Sequence, residues 1–228
     1  GRVRQGPAAE VLLRLADEEG RLVQPRQFLQ AAERYQLMPA IDRWVVQATL
    51  AAIGQGVIRL PDERSCTINL SGQSLAEDGF LEFVVECLDR SQVPPGRVSF
   101  EIAEDAVVDR IDLVRRFVAV LHGMGCQFGI DDFGSGVGSF TALRELEIDY
   151  LKLDGSCTRD LRPDGANHQV VQAVTGLARI QGFRVVAEQV ESPADFEALR
   201  ALGVDFIQGY FVDRPHRLGT AGAALAPA

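Results

Sequence analysis

Short runs of apolar residues alternate along the chain with longer segments in which apolar residues recur every three or four positions. The short runs are typical of buried parallel strands, and the longer segments are typical of helices that cover a sheet. The strand candidates are Val11–Arg14, Cys66–Leu70, Val98–Ile102, Gln127–Asp131, Tyr150–Asp154, Arg184–Glu188 and Phe206–Gly209. The helix candidates are Pro25–Ala51, Leu81–Ser91, Ile111–Met124, Gly138–Leu146, His168–Gln181 and Pro193–Leu202.

The repeating order of strand and helix predicts an α/β domain with a parallel sheet. Seven such units within 228 residues favour a TIM-type (β/α) barrel over the alternative, a doubly wound open sheet. The glycine-rich stretch Gly134–Gly138 lacks the G-x-G-x-x-G spacing of a dinucleotide site and follows two aspartates. We expect one domain over residues 10–217, with tails or linkers over 1–9 and 218–228 that are rich in Gly, Ala and Pro.

Composition and charge narrow the classes of partner. The net charge of −9 argues against binding to bulk nucleic acid. It allows a small anionic ligand if metal cations neutralise the acidic side chains around that ligand. No apolar run approaches the roughly 20 residues of a membrane span. We therefore expect a cytoplasmic domain that makes no membrane contact of its own, any tether lying outside this chain. The four cysteines are widely spaced, which favours reduced thiols over a zinc site or disulfides.

Polar side chains recur at the ends of the predicted strands. They are Glu10, Asn69, Glu101, Asp131, Asp132, Lys152, Asp154, Glu188 and Gln208. Barrel strands deliver their carboxyl ends to one face, and charges inside apolar strands are costly unless they are paired or bind metal. Without suitably spaced His or Cys, oxygen-ligated Mg²⁺ or Mn²⁺ is favoured. Any one of these residues alone could face solvent, and Lys152 could be a structural partner of Asp131 or Asp154; their recurrence across seven strands favours a site.

These residues carry a resemblance to a known family. From Glu10 to about Pro215 the chain resembles the EAL domain of bacterial cyclic di-GMP phosphodiesterases. The segment Glu10–Arg14 is similar to the name-giving motif, with Val11 in place of its central Ala. The other similar motifs, in the family's order, are Ile68–Ser71, Glu101–Glu104, Asp131–Gly136, Leu151–Asp154, Ala187–Glu191 and Gln208–Tyr210.

The resemblance implies a role for each matching position. It implies Glu10, Asn69, Glu101 and Asp131 as ligands of one ion, with Asp131 bridging to a second ion held by Asp132 and Glu188. Lys152 would orient the attacking water, so that Lys152, Glu188 and Asp131 form the catalytic group. Leu12, Arg14, Asp154 and Gln208 would contact the substrate, and Glu104 would anchor the loop 133–139. The implied reaction is hydrolysis of cyclic di-GMP to linear pGpG with two Mg²⁺ or Mn²⁺ ions.

The sequence departs from the family pattern in two ways. Ala103, Val137–Gly138 and Gln189 replace the usual Thr, Tyr-Ser and Gly, which puts catalytic rate and regulation in question more than binding. The family normally has a strand before its first motif, but only residues 1–9 come before Glu10, so either the chain is cut short there or Arg2–Gln5 is a poor substitute for that strand. We therefore expect seven strands, a barrel left open at that position, and reduced stability.

Partners and alternative functions follow from the same resemblance. It implies a homodimer and an upstream sensor or GGDEF domain in a longer protein. The alternative to an enzyme is a receptor that binds cyclic di-GMP without turnover. EAL domains that act as receptors have usually lost metal ligands. All of the ligands are present here. A third alternative, a scaffold for protein interactions that binds no nucleotide, would leave the whole polar group without a purpose.

Overall fold

The computed structural model describes residues 7–135, 143, 145–163 and 165–218. In chain order its strands are β1 (Pro7–Glu10), β2 (Leu15–Ala16), β3 (Leu22–Val23), β4 (Ser65–Leu70), β5 (Val98–Ala103), β6 (Gln127–Phe133), β7 (Tyr150–Leu153), β8 (Arg184–Ala187) and β9 (Phe206–Ile207). Its helices are α1 (Pro25–Arg34), α2 (Met38–Gly54), α3 (Gly72–Ala76), α4 (Phe80–Ser91), α5 (Glu104–Asp109), α6 (Ile111–Met124), α7 (Gly155–Thr158), α8 (Ala166–Gln181) and α9 (Pro193–Ala201). A 3-10 turn covers Pro95–Arg97.

Seven strands form one sheet in the order β1-β4-β5-β6-β7-β8-β9, and every neighbouring pair is parallel. The short strands β2 and β3 form a separate antiparallel hairpin. Helices connect most of the strands of the large sheet, as the repeating pattern in the sequence predicts. None of the helices in the described part of the chain has the length and apolar composition that a membrane crossing requires.

The sheet curls so that its two edge strands meet. Gln208, directly after β9, donates through Nε2 to Oε2 of Glu10 at the end of β1, at 2.7 Å. At the other end of the same gap, the guanidinium carbon of Arg64 lies 5.1 Å from the centroid of the Phe206 ring, and its Nη2 donates to the carbonyl of Pro7. No strand pair joins β1 to β9 within the described residues. The predicted α/β barrel fold is confirmed, and within the described residues the seam between β1 and β9 is bridged by side chains rather than by strand pairing.

Alternate residues of the strands face opposite sides of the sheet. One set packs under the helices: Ile68, Phe100, Ile102, Phe128, Ile130, Leu151 and Leu153 are all 0–1% exposed. The Phe100 ring, for example, meets Phe117 of α6 edge-on, with 6.0 Å between centroids. The intervening residues, such as Asn69 and Glu101, face the barrel interior. This alternation explains why charged residues occur within strands that otherwise look apolar.

The first strand is not where the sequence predicts it. Val11–Arg14 has no strand structure, and β1 lies just before it, partly inside residues 1–9 that were expected to be a linker. The last bond of the ladder runs from the backbone nitrogen of Val11 to the carbonyl of Thr67 at 3.0 Å. Val11 and Leu13 are half-buried while Leu12 and Arg14 are exposed, so a loop reproduces the period of a strand.

The long helix predicted over Pro25–Ala51 is two helices, α1 and α2. The break falls at Gln36, whose φ of 56° is left-handed and cannot continue a right-handed helix. Pro39 then occupies the first turn of α2, where a missing N–H costs nothing. The helix predicted over Gly138–Leu146 lies largely outside the described residues.

Candidate active site

The interior of the barrel contains a lysine surrounded by four carboxylates. Lys152, in the middle of β7, is 1% exposed. Its Nζ lies 2.7 Å from Glu188 Oε1, 2.9 Å from Glu101 Oε2, 3.1 Å from Glu10 Oε2 and 3.2 Å from Asp131 Oδ1. These acids lie in, or directly after, four different strands, as the pattern of polar strand ends predicts. A positive charge therefore lies at the centre of the group.

Burial and mutual repulsion shape the ionisation of this group. Burial raises the pKa of Glu101 well above its ordinary value, although the Lys152 ammonium acts against it. Burial also raises the pKa of Glu188 to about 7, again with Lys152 in opposition. Burial alone would lower the pKa of Lys152, but the carboxylates, Glu101 first among them, raise it well above its ordinary value. The lysine is therefore held protonated, while burial disfavours the charged forms of Glu101 and Glu188.

Two amides fix the orientation of Glu10. Asn69 Nδ2 donates to Glu10 Oε1 at 2.6 Å, and Gln208 Nε2 donates to Glu10 Oε2 at 2.7 Å. Burial would raise the pKa of Glu10, but Lys152 and these two amides together lower it. Because Asn69 uses its nitrogen on Glu10, its carbonyl oxygen is the atom that remains for a cation.

The carboxylates form two groups of metal-ligand spacing that share one residue. Oxygens of Glu10, Glu101 and Asp131 lie within 4.8 Å of one another, and so do oxygens of Asp131, Asp132 and Glu188. The φ of Asp132 is 55°, so the chain turns sharply between the two adjacent aspartates. Burial and the charge of Asp131 raise the pKa of Asp132 to about 6.

These residues fit a pair of hard divalent cations. The donors are all oxygens, which is the ligand set of Mg²⁺ and Mn²⁺ rather than zinc. The ammonium of Lys152 contacts Glu101 and Glu188, so these carboxylates already have one positive charge beside them. Asp131 belongs to both groups, which is the position of a bridging ligand.

A buried polar layer, which the sequence-based prediction missed, lies directly beneath Glu101. Thr67 Oγ1 lies 2.8 Å from Ser99 Oγ and 3.3 Å from the hydroxyl of Tyr150. Below them the hydroxyl of Ser65 donates to Gln127 Oε1 at 3.0 Å. Uncharged residues in strands look unremarkable, but Thr67 and Ser99 fall two positions before Asn69 and Glu101. This period of two was the available clue that they share the interior face.

Three of the predicted substrate contacts lie outside the lysine-centred group. Leu12 and Arg14 line a groove of about 150 Å³ against Trp44 of α2, and Arg14 Nη1 donates to the carbonyl of Leu13. Asp154 caps the start of α7 by accepting from the backbone nitrogen of Ser156 at 2.9 Å. Gln208, the fourth, lies within the group through its bond to Glu10.

The residue expected to anchor a loop is buried beside that loop. Glu104, at the start of α5, accepts through Oε2 from the backbone nitrogen of Gly134 at 3.0 Å. Gly134 follows the Asp pair and has a φ of 91°, a conformation that favours glycine. The rest of the loop from 136 onward lies outside the described residues. The contact ties the loop to the carboxyl end of β5.

Comparison with known proteins decides the family. The model of the EAL domain family matches residues 3–215. This chain belongs to the EAL domain family. The match confirms the resemblance seen in the motifs, and the order of the motifs along the EAL chain is the order in which the strands meet around Lys152.

Three relatives of this EAL domain illustrate the likeness. Cyclic di-GMP phosphodiesterase PdeB of Shewanella oneidensis is 34% identical over 92% of this chain and 24% of its own length. Cyclic di-GMP phosphodiesterase PdeF of Escherichia coli is 34% identical over 92% of this chain and 28% of its own length. The solved FimX EAL domain of Pseudomonas aeruginosa, bound to c-di-GMP, superposes with a TM-score of 0.83 at 28% identity, covering 94% of this chain and 85% of that one. The chain thus spans about a quarter of PdeB and PdeF.

Proposed function

We propose that this EAL domain hydrolyses cyclic di-GMP to linear pGpG with two Mg²⁺ or Mn²⁺ ions. The observation that carries the proposal is the pair of carboxylate groups that share Asp131 around the buried Lys152. The names of PdeB and PdeF support the reaction, and the FimX EAL domain bound to c-di-GMP supports the class of ligand.

Glu10, Asn69, Glu101 and Asp131 would hold one ion, and Asp131, Asp132 and Glu188 would hold the other. When bound, the ions supply charge neutralisation and Lewis acidity at the phosphodiester. The network below Glu101 and the amides on Glu10 keep the first set oriented. Oriented ligands lower the cost of assembling such a site.

The other residues act on the water and the substrate. Lys152 donates from Nζ, holds the attacking water, and places positive charge where the transition state accumulates negative charge. Linear pGpG carries a 5′ phosphate, so water adds to phosphorus while the P–O3′ bond breaks and the 3′ oxygen takes up a proton. Leu12 and Arg14, at the rim of the groove beside Trp44, and Gln208 are the proposed contacts to the nucleotide.

The test is chromatography of cyclic di-GMP incubated with the purified domain in Mg²⁺, in Mn²⁺ and in a chelator. Asp131→Ala removes the shared ligand, and Asp89→Ala, an exposed acid on α4, is the matched control. We expect metal-dependent pGpG from the wild type and from Asp89→Ala, and a loss of at least about 100-fold in Asp131→Ala.

Nucleotide that binds but is not cleaved in either metal would reject the enzyme and leave the receptor alternative. Neither binding nor cleavage would leave the scaffold alternative. The homodimer, the upstream sensor or GGDEF domain, the cytoplasmic location and the choice between Mg²⁺ and Mn²⁺ stay predictions.

A further inference from the structure

Glu188 is held by its backbone as well as by Lys152. It lies one residue beyond β8, and its backbone nitrogen donates to the carbonyl of Leu153 at 3.1 Å. Its own carbonyl accepts from the hydroxyl of Thr158 at 2.7 Å. Thr158 is 1% exposed, and it lies at the end of the short helix α7. Both ends of the Glu188 backbone are therefore bonded to the segment that follows Lys152.

The next residue is held in a conformation that most side chains avoid. Gln189 has a φ of 53°, which is left-handed. Its Oε1 accepts from Arg159 Nη2 at 2.6 Å, and its side chain lies flat against Gly155. A Cβ atom on Gly155 would lie 2.5 Å from Oε1 and 2.9 Å from Cβ of Gln189, so a larger residue at 155 would displace the Gln189 side chain. α7 and Arg159 thus hold the Gln189 side chain in place while the Gln189 backbone is left-handed.

α7 is itself fixed to its surroundings. Asp154 caps its first turn through the backbone nitrogen of Ser156. Asn167, in the first turn of α8, donates from Nδ2 to the carbonyls of Ser156 and Arg159, each at 2.8 Å. The segment that contacts the Glu188 backbone is therefore bonded at both of its ends, which opposes its movement.

We propose that α7 is a clamp that aims the Glu188 carboxylate at the second carboxylate group, with Thr158 and Gln189 as positioning residues. The peptide between Glu188 and Gln189 sets the direction of the Glu188 Cα–Cβ bond. The Thr158 hydroxyl bonds to the carbonyl of this peptide. If that bond is removed, the strained φ of Gln189 can relax and the peptide can rotate. The inference rests on the proposed function, since it assigns Glu188 to a cation. Groups that orient a ligand in this way typically change metal affinity by about 10- to 100-fold.

The test uses Thr158→Val, which keeps the shape and removes the hydroxyl, and Thr158→Ser, which keeps the hydroxyl. Thr175→Val is the matched control, because the buried Thr175 hydroxyl donates only within α8, to Val171 and Gln172. Free Mn²⁺ is measured by electron paramagnetic resonance as the nucleotide-free domain is titrated. We expect two bound ions in the wild type, and about tenfold weaker binding of one of them in Thr158→Val. Thr158→Ser and Thr175→Val should bind as the wild type does.

Arg159→Met is the second variant, because its side chain is exposed and its loss does not disturb the core. We expect it to weaken the same ion by several-fold. Equal Mn²⁺ affinity in the wild type, Thr158→Val and Arg159→Met overturns the clamp, and so does equal weakening in Thr175→Val.

Hydrolysis of cyclic di-GMP, measured in parallel, separates this inference from the proposed function. A wild type that makes pGpG while Thr158→Val binds Mn²⁺ normally would defeat the clamp alone. A wild type that makes no pGpG, with Mn²⁺ affinity still dependent on Thr158, would defeat the proposed function alone and keep the clamp.

Discussion

Lys152 Nζ lies 2.7 Å from Glu188 Oε1; Lys152 is in β7, and Glu188 directly follows the adjacent strand β8. Lys152 is the single lysine in a chain with 22 arginines. A compact ammonium can approach four carboxylates at once, whereas a planar guanidinium forms a fork toward one or two. The choice of lysine here is thus a consequence of how many acids converge on one point.

Replacing this lysine should destabilise the domain in a way that metal repairs. In Lys152→Met the four carboxylates lose their buried counter-charge, which typically costs about 3–5 kcal/mol of unfolding free energy. Thermal unfolding followed by circular dichroism should show a lower melting temperature, and Mn²⁺ should raise it more in the variant than in the wild type. Mn²⁺ that stabilises the wild type by the larger margin would mean that cations do not occupy this group.

A buried acid far from the lysine gives a pH-dependent prediction. Burial raises the pKa of Asp42, and the bonds that its Oδ2 accepts from Ser74 and Ser71 only partly oppose this. A raised folded-state pKa contributes stability that is complete below the unfolded value and is lost as pH rises through the folded one. Asp42→Asn, which can accept the same bonds, should therefore gain stability relative to the wild type as pH rises from about 4 to about 7.

Urea unfolding at the two pH values measures that difference. Asp89→Asn, an exposed acid on α4, is the control and should show no such trend. An Asp42→Asn variant whose stability relative to the wild type is the same at both pH values would contradict the role of burial.

Two glycines differ in the space around them. A Cβ atom on Gly129 of β6 would lie 2.6 Å from Cζ of the buried Tyr150 ring, so Gly129→Ala should cost about 3 kcal/mol through overpacking. Gly176 in α8 has no neighbouring atom within 4 Å of such a Cβ, so Gly176→Ala should stabilise by about 1 kcal/mol. Denaturant unfolding of both variants checks the opposite signs. Similar effects of the two substitutions would contradict the close packing of Tyr150 on β6.

Much of the fold, and the set of acids around Lys152, could be predicted from the sequence because both follow from the periodic spacing of apolar and polar residues. β4 to β9 carry apolar residues on one face, and the acids fall at positions that parallel strands bring to one end. The partners of those acids could not be predicted in the same way. Glu10 meets Lys152 across 142 residues and Gln208 across 198, and only closure of the sheet at the seam sets those pairs.

The predictions of individual elements were wrong where the backbone conformation, and not the spacing of apolar side chains, decides the local structure. Val11–Arg14 is a loop although its burial alternates like that of a strand. The helix predicted over Pro25–Ala51 breaks at the left-handed Gln36, and Pro39 in the first turn of α2 was the available sign of that break. α7 spans only four residues, too few for a periodic pattern, so neither the cap at Asp154 nor the contact between Thr158 and Glu188 could be foreseen.

We expect the carboxylates around Lys152 to hold divalent cations. Because the chain has one lysine, protein made with ¹³Cε-lysine gives a single side-chain signal from the middle of this group. Titration with Mg²⁺ should move that signal in a saturable way in the wild type and not in Asp131→Ala. A Lys152 signal that stays unchanged up to millimolar Mg²⁺, in a protein that is folded, would contradict the account.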